Sequence, residues 1–155
     1  MVEIYNEKIK DLFDSNKNDL KIRSNKNMGI YLDGVTEKYV LNDEEAFEYL
    51  QLGLDHRSVS FTNMNARSSR SHMMFIIHLN THDIYTGQAK TAKITLVDLA
   101  GSEKISKTGA EGKVLEEAKK INTSLTALGK VINLLSDGKS SHIPYRDSKL
   151  TRLLQ

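Results

Sequence analysis

The sequence predicts an α/β fold in which helices pack against a layered sheet. Short apolar runs typical of buried strands, above all residues 73–79 and 93–97, alternate along the chain with segments of helical periodicity. Hydrophobic residues make up 39% and charged residues 27% of the chain, a composition typical of a folded globular domain. The length of 155 residues suits one such domain.

The first 32 residues predict three short strands and one helical turn. Residues 2–5 alternate as in a strand, whereas residues 7–13 place apolar side chains at helical spacing and predict a short amphipathic turn. A polar loop follows at 14–19. Residues 20–22 and 30–32 then predict two strands joined by a turn at 25–29.

A helix and two longer strands are predicted next. Asn42 or Asp43 is a suitable N-cap for a helix whose apolar residues share one side, namely Ala46, Phe47, Leu50 and Leu54. Residues 73–79 are nearly all apolar, which favours a strand buried on both faces. Residues 93–97 predict a second central strand that ends at Asp98, and residues 82–90 read as the connecting loop.

The longest helix is predicted from a single apolar stripe. Spacings that alternate between four and three residues connect Val114, Ala118, Ile121, Leu125, Leu128, Ile132 and Leu135. A coiled-coil seam is one interpretation, but the polar and small residues around the stripe favour a helix packed on its own domain. Pro144 forces a break, and a last helix begins near Asp147 and Ser148.

Composition restricts the classes of function. The chain has no cysteine, which excludes disulfides and thiolate metal sites. It has no signal-like apolar core and no run long enough to span a bilayer, so we expect a cytoplasmic protein. Residues 104–152 carry ten Lys/Arg against five Asp/Glu, and such a segment attracts nucleic acid, anionic membrane or an acidic protein surface, or is simply solvated.

Two polar segments carry the chemistry that the sequence suggests. Asp98 follows a buried-type strand and could hold Mg²⁺ through water, while Gly101 would let its backbone N–H approach a phosphate. Ser68 and Ser69 supply hydroxyl groups for the metal or for an attacking water, and Arg70 supplies a cation that could pair with Glu103. Each signal has an ordinary alternative: Asp98 as a helix cap, and the serine-rich segment as a solvated loop.

The order of these segments resembles the kinesin motor domain over essentially the whole chain. The motif Asn63-Met-Asn-Ala-Arg-Ser-Ser-Arg-Ser-His72 resembles the family's switch I, and Leu96-Val-Asp-Leu-Ala-Gly-Ser-Glu-Lys104 resembles its switch II. The resemblance extends to three later segments of the family: a loop at residues 106–112, the relay helix at 121–129 and the microtubule-facing segment at 142–152. The sequences of these motifs are most similar to those of conventional kinesin heavy chains. The resemblance implies part of a P-loop NTPase-type layered core, with a central mixed sheet and helices on both faces.

The resemblance also implies roles for residues of this chain. Ser69 would bind Mg²⁺, Ser68 would place the lytic water, and Gly101 would sense the γ-phosphate of ATP. Asn65 would belong to the nucleotide site, Asp98 would reach the metal through water, and Arg70 would pair with Glu103. A second group would face the microtubule: Lys104, His142, Arg146 and Lys149.

The resemblance implies partners as well as residues. Tubulin is strongly acidic, and no aromatic stacking platform accompanies the basic residues, so microtubules are expected as the partner rather than nucleic acid. No membrane insertion is expected. The parent protein would be a microtubule-stimulated ATPase in the cytoplasm, on the cytoskeleton, and a stalk that this sequence lacks could make it dimeric.

The phosphate-binding loop of such a motor, Gly-x-x-x-x-Gly-Lys-Ser/Thr, is absent from these residues. Gly138-Lys-Ser140 lacks the first glycine of the motif and follows a helix, so it is a decoy. Because both ends also fall inside apparent elements, the sequence predicts a partial motor domain over residues 1–155, inactive by itself. The alternative is a non-enzymatic microtubule-binding pseudo-motor, with a P-loop GTPase a distant third.

Overall fold

The computed structural model describes residues 1–26, 29–59, 67–101 and 113–155. Within these ranges, six strands form two antiparallel sheets: β1 (Val2–Tyr5), β2 (Lys8–Asp11), β3 (Lys21–Asn25), β4 (Gly29–Asp33), β5 (His72–His82) and β6 (Ala89–Asp98). The main sheet has the order β2-β1-β5-β6, and β3 pairs with β4 in a separate hairpin. Each described pairing is antiparallel, so the predicted mixed sheet shows no parallel pair among the described strands.

The described part of the chain also contains three α-helices: α1 (Asp43–Val59), α2 (Lys113–Asp137) and α3 (Lys149–Leu153). Short 3-10 turns occupy Arg67–Arg70 and Tyr145–Asp147. The predicted α/β class is confirmed. None of the described helices has the combination of length and apolar character that a bilayer crossing demands.

The predicted helical turn at residues 7–13 is wrong, because residues 8–11 of this segment form strand β2. Asn6 and Glu7 have φ values of 54° and 58°, the left-handed pair that a two-residue hairpin turn requires. This turn pairs Tyr5 with Lys8 and Ile4 with Ile9. Pairing with β1 therefore decides the conformation over the local helical spacing.

Helices pack on both faces of the main sheet, as predicted. On one face α3 contributes Leu150 and Leu153 to a core that contains Val2, Ile4 and Met74. The β3–β4 hairpin joins the same core through buried Ile22 and Leu32. On the other face, Leu50 and Leu54 of α1 pack against Met1, Leu12 and Met73.

Strands β5 and β6 are less buried than their apolar sequences predicted. Only the first residues of β5 are buried, and most of β6 is exposed. Ile94 and Leu96 expose 44% and 53% of their surface, because β6 is an edge of the described sheet. The expected loop at 82–90 shortens to residues 83–88 because both strands extend toward the tip of their hairpin.

The buried face of α2 is also rotated relative to the predicted stripe. Ile121, Ser124, Ala127 and Val131 are buried, whereas Ile132 and Leu135 are about half exposed. A serine thus occupies the core-facing position in place of the neighbouring Leu125. Its hydrogen bonds, described below, explain this exception to the hydrophobic pattern.

Capping side chains define two helix starts. Asn42 accepts a hydrogen bond from the backbone N–H of Glu45 at 2.8 Å, and Ser148 accepts one from Thr151 at 3.1 Å. Side-chain oxygens satisfy in this way the amide groups that the first turn leaves unpaired. Both helix starts agree with the sequence prediction.

Candidate functional site

The two predicted switch segments meet because β5 and β6 are antiparallel. The first segment leads into the start of β5, and the second leaves the end of β6. The register pairs Met73 with Asp98, so the start of one strand lies beside the end of the other. Strand pairing thereby brings to one edge of the sheet two loops that lie about thirty residues apart in sequence.

A direct backbone contact joins these segments. The N–H of Gly101 donates a hydrogen bond to the carbonyl oxygen of Ser69, with a distance of 2.7 Å between nitrogen and oxygen. Ser69 belongs to the 3-10 turn Arg67–Arg70. The predicted phosphate-sensing glycine is therefore in contact with the predicted Mg²⁺-binding segment.

Arg57, at the end of α1, forms hydrogen bonds to residues just before the start of β5 and at the end of β6. Its Nη1 donates to Asp98 Oδ2 at 2.7 Å, and its Nη2 donates to the carbonyl oxygen of Ser71 at 3.1 Å. Its Nε lies 3.9 Å from Oε1 of Glu3. The side chains of Arg57 and Glu3 are 6% and 1% exposed, so a buried cation on α1 holds the boundaries of both loops together.

His72 forms a second connection between the segments. Its Nδ1 accepts a hydrogen bond from the backbone N–H of Ala100 at 2.9 Å. Its Nε2 lies 2.8 Å from Oγ of Ser124 on α2. Since a backbone N–H can only donate, the imidazole proton must be on Nε2.

Burial lowers the pKa of His72 below its ordinary value. The carboxylate of Asp98 opposes this effect, and the guanidinium of Arg57 adds to it. Desolvation is the largest cause because it disfavours the charged imidazolium. The neutral ring that the two hydrogen bonds require is thus also the form that burial favours.

Arg70 lines a small crevice between the sheet and α2. Glu7 from the β1–β2 turn, His72 from β5 and Lys120 from α2 line the same crevice. The crevice is therefore lined by charged residues of both signs. The predicted partner of Arg70, Glu103, lies outside the described residues, and so the proposed ion pair remains a prediction.

Three further predicted site residues are either not described by the structure or described only as part of a backbone turn. Asn65 and Lys104 also lie outside the described residues, and Ser68 is placed only as part of the 3-10 turn. The roles assigned to these three residues remain predictions.

The predicted track-facing residues differ in their surroundings. His142 and Arg146 are exposed, but the ammonium group of Lys149 donates to Asp19 Oδ1 at 3.0 Å. Hydrogen bonds from Lys21 and then from Lys149 lower the pKa of Asp19 to about 2. Asp19 therefore stays ionised and competes with any external anion for Lys149.

The residues expected to bind Mg²⁺ fit that ion only as part of a larger donor set. Within the described ranges, no three His, Cys, Asp or Glu side chains come together in a way that could hold a metal. The Asp98 side chain is 58% exposed, and the hydroxyl of Ser69 belongs to the residue whose carbonyl oxygen accepts the 2.7 Å hydrogen bond from Gly101. Oxygen ligands of this kind suit a Mg²⁺ that is held mainly by water and phosphate oxygens.

Gly138-Lys-Ser140 is unsuited to phosphate, as its sequence context predicted. Gly138 has a φ of 65°, and its N–H donates to the carbonyl oxygen of Leu134 at 3.3 Å. It therefore terminates α2 as a C-cap. The carboxyl end of a helix carries partial negative charge, which repels an anion.

Sequence reasoning did not identify Arg57 or the role of His72. Arg57 follows Leu50 and Leu54 at spacings of four and three, so it continues the apolar face of α1. An arginine on an apolar face predicts a buried ion pair. For His72 the available signal was Ser124, a polar residue at a core-facing position of α2.

The kinesin motor domain family model matches residues 1–155. This chain belongs to the kinesin motor domain family. Kinesin heavy chain of Botryotinia fuckeliana is 58% identical over 154 residues, which are 99% of this chain and 18% of that protein. Kinesin-related protein 3 of Dictyostelium discoideum is 53% identical over 154 residues, which are 99% of this chain and 13% of that protein.

Solved kinesin structures have the same fold. A structure of a fast kinesin is 55% identical, with a TM-score of 0.87, and the match covers 99% of this chain and 44% of that one. Mutant structures that describe a signalling pathway for activation of the kinesin motor ATPase are 37% identical, with a TM-score of 0.78 and a coverage of 99% and 44%. The chain thus spans less than half the length of these structures.

Proposed function

We propose that this chain forms part of the motor core of a kinesin that converts ATP binding and hydrolysis into movement along microtubules. The observation that carries the proposal is the hydrogen bond from Gly101 N–H to the carbonyl oxygen of Ser69 at 2.7 Å. Through this hydrogen bond, the segment expected to sense phosphate contacts the segment expected to bind Mg²⁺. A motor needs this proximity, because phosphoryl transfer depends on positioned charge and an oriented water.

The hydrogen bond also defines what the loops would do when nucleotide binds. A backbone N–H supplies one donor, and that of Gly101 is engaged by Ser69. A γ-phosphate at Gly101 would have to replace the Ser69 carbonyl, so phosphate binding would change the relation between the two loops. Mg²⁺ and ATP would supply the charge and the phosphate oxygens that Ser69 and Asp98 are expected to meet.

Two solved kinesin structures support this proposal. The fast kinesin structure was examined for its ATPase mechanism and its interactions with microtubules, and the mutant structures concern activation of the kinesin motor ATPase. Both match 99% of this chain. We extend ATP hydrolysis and microtubule binding from those proteins to the protein to which this chain belongs.

The expected microtubule face would be centred on residues 142–149. His142 and Arg146 are exposed and suit an acidic protein surface. Lys149 would have to leave Asp19, or share it, to contact such a surface. Arg146 is therefore the stronger candidate for the first contact.

A second candidate function is a non-enzymatic module that binds microtubules. It is favoured by the absence of a phosphate-binding loop from the 155 residues and by the engagement of Gly101 N–H within the chain. Nucleotide turnover separates the two candidates.

The test of the motor uses a protein in which a phosphate-binding loop precedes these residues. Gly101→Ala is expected to reduce ATP turnover about 100-fold, because small displacements at a reacting centre cost that much. Gly129→Ala on α2 is the matched control, since an added methyl group there meets no atom within 4 Å. Equal turnover in the two variants would reject the sensing role of Gly101.

The 155-residue chain alone is expected to show no ATP hydrolysis and poor nucleotide binding. Turnover by this chain that Gly101→Ala abolishes would contradict that expectation. Microtubule binding is tested by co-sedimentation, in which Arg146→Ala combined with Lys149→Ala should lower the bound fraction. Lys93→Ala, which removes an exposed cation from β6, is the control, and unchanged binding by the double variant would reject the proposed face.

A further inference from the structure

The imidazole of His72 joins three separate elements of the fold. It lies on β5, accepts the N–H of Ala100 after β6, and contacts Ser124 of α2. The Ser124 hydroxyl in turn donates to the carbonyl oxygen of Ile121 at 2.7 Å. The hydrogen bonds therefore form a continuous chain from the Ala100 backbone to the backbone of α2.

The direction of every hydrogen bond in this chain is fixed. The amide of Ala100 must donate, so Nδ1 of His72 must accept and Nε2 must carry the proton. The Ser124 oxygen accepts a hydrogen bond from Nε2–H, and the Ser124 hydroxyl donates one to the carbonyl oxygen of Ile121. The opposite tautomer would place two donors against each other at Ala100.

The chain is also buried. His72, Ala100 and Ser124 expose 3%, 5% and 2% of their surface. Water cannot readily replace a lost partner at such positions, and an unpaired buried polar group is costly. A displacement of Ala100 therefore has to be followed by the imidazole, or it breaks a buried hydrogen bond.

Ala100 is bonded covalently to the glycine whose N–H contacts Ser69. The two hydrogen bonds, from Ala100 N–H to His72 and from Gly101 N–H to Ser69, involve consecutive peptide units that meet at the Cα of Ala100. We propose that His72, in its neutral Nε2–H form, is a positioning residue that couples the segment Asp98–Gly101 to helix α2 through Ser124. Its use during nucleotide binding rests on the proposed motor function, but the coupling itself does not require nucleotide.

The first experiment determines the tautomer. ¹⁵N NMR of the histidine-labelled chain at pH 7.5 distinguishes a protonated from an unprotonated ring nitrogen. The expected result for His72 is an unprotonated Nδ1 and a protonated Nε2. A protonated Nδ1, or rapid averaging between the tautomers, would overturn the proposal.

The second experiment measures the coupling by amide hydrogen exchange. Ser124→Ala should raise the exchange rate of the Ala100 amide about five- to tenfold, which is the effect of losing one buried hydrogen bond. It should also populate the second tautomer of His72. Thr123→Ala is the matched control, because Thr123 donates to the carbonyl oxygen of Lys119 on the exposed side of the same helix at 2.8 Å.

The outcomes separate coupling from a local role in the helix. If Ser124 only stabilised α2, both alanine variants would accelerate exchange in α2 and leave Ala100 unchanged, which would overturn the proposal. Ser124→Thr retains the hydroxyl and should restore protection at Ala100. A chain that shows the coupling but belongs to a protein without ATP turnover would refute the motor function and leave the role of His72 intact.

Discussion

Replacing Arg57 with alanine tests whether the buried guanidinium fastens the two loop boundaries. The substitution removes the donors to Asp98 and Ser71 and the cation that lies 3.9 Å from Glu3. It leaves the backbone of α1 intact, because alanine is a strong helix former. The expected result is a large loss of stability.

The magnitude follows from the exposure of the two charged partners of Arg57. Asp98 is 58% exposed, so water compensates most of its lost ion pair and this part costs about 0–1 kcal/mol. Glu3 is 1% exposed, and a buried charge that loses its nearby cation costs about 3–5 kcal/mol. The total is a large fraction of the roughly 5–15 kcal/mol by which a domain is stable.

Urea denaturation of the monomeric chain measures this loss. With a urea slope of about 1–3 kcal/mol per molar, Arg57→Ala should lower the midpoint by roughly 2 M. Arg23→Ala is the matched control, because Arg23 pairs with Asp33 at 3.4 Å with both side chains more than half exposed. This control should cost about 0–1 kcal/mol.

A double-mutant cycle identifies the residue that causes the loss. Glu3→Gln in the Arg57→Ala background removes the buried negative charge and should recover about 0.5–3 kcal/mol. Equal midpoints for Arg57→Ala and Arg23→Ala would refute the argument from burial. A double variant no more stable than Arg57→Ala would show that Glu3 does not carry the cost.

Three further predictions concern other parts of the fold. Because burial lowers the pKa of His72 in the folded state, the unfolded chain binds the proton first as pH falls below about 6.5, and the free energy of unfolding should fall there by at most about 1.4 kcal/mol per pH unit. The difference between the urea midpoints at pH 5.5 and pH 7.5 should disappear in His72→Gln. It should persist in His82→Gln, which changes an exposed histidine. Ser148→Ala should cost about 0.5–2 kcal/mol through loss of the α3 cap and should raise amide exchange at Thr151, whereas Ser140→Ala, at an exposed turn serine, should leave that amide unchanged. The exposed edge strand β6 should promote self-association, so Leu96→Lys should raise the monomer fraction in sedimentation velocity more than Leu135→Lys on α2, a residue of similar exposure; equal effects would show that the strand edge is not the contact.

Local signals in the sequence correctly predicted several elements. The alternation in residues 2–5, the two short strands predicted at 20–22 and 30–32, the cap Asn42 and the helix start near Ser148 are features of a few adjacent residues. They have the same meaning in any fold, because backbone hydrogen bonding and rotamer preference act locally. The long motifs at 63–72 and 96–104 also indicated the family, which the match over residues 1–155 confirms.

Tertiary structure decided the features that depend on distant partners. Residues 7–13 have a helical spacing, but residues 8–11 form β2, because β1 offers them a complete set of backbone partners across a two-residue turn. On α2, Ser124 rather than Leu125 faces the core, because its hydroxyl forms a hydrogen bond with the imidazole of His72 on β5. The contact of Ser69 with Gly101 likewise requires the antiparallel register of β5 and β6.

The sequence by itself indicated the family and most element types, and it predicts which residues carry the chemistry. The tertiary structure decided which of these residues meet, and it introduced Arg57 and His72 as the groups that join them. The physical reason is that burial and long-range hydrogen bonding depend on groups remote in sequence. No periodicity within one segment specifies which partner a buried cation or imidazole finds.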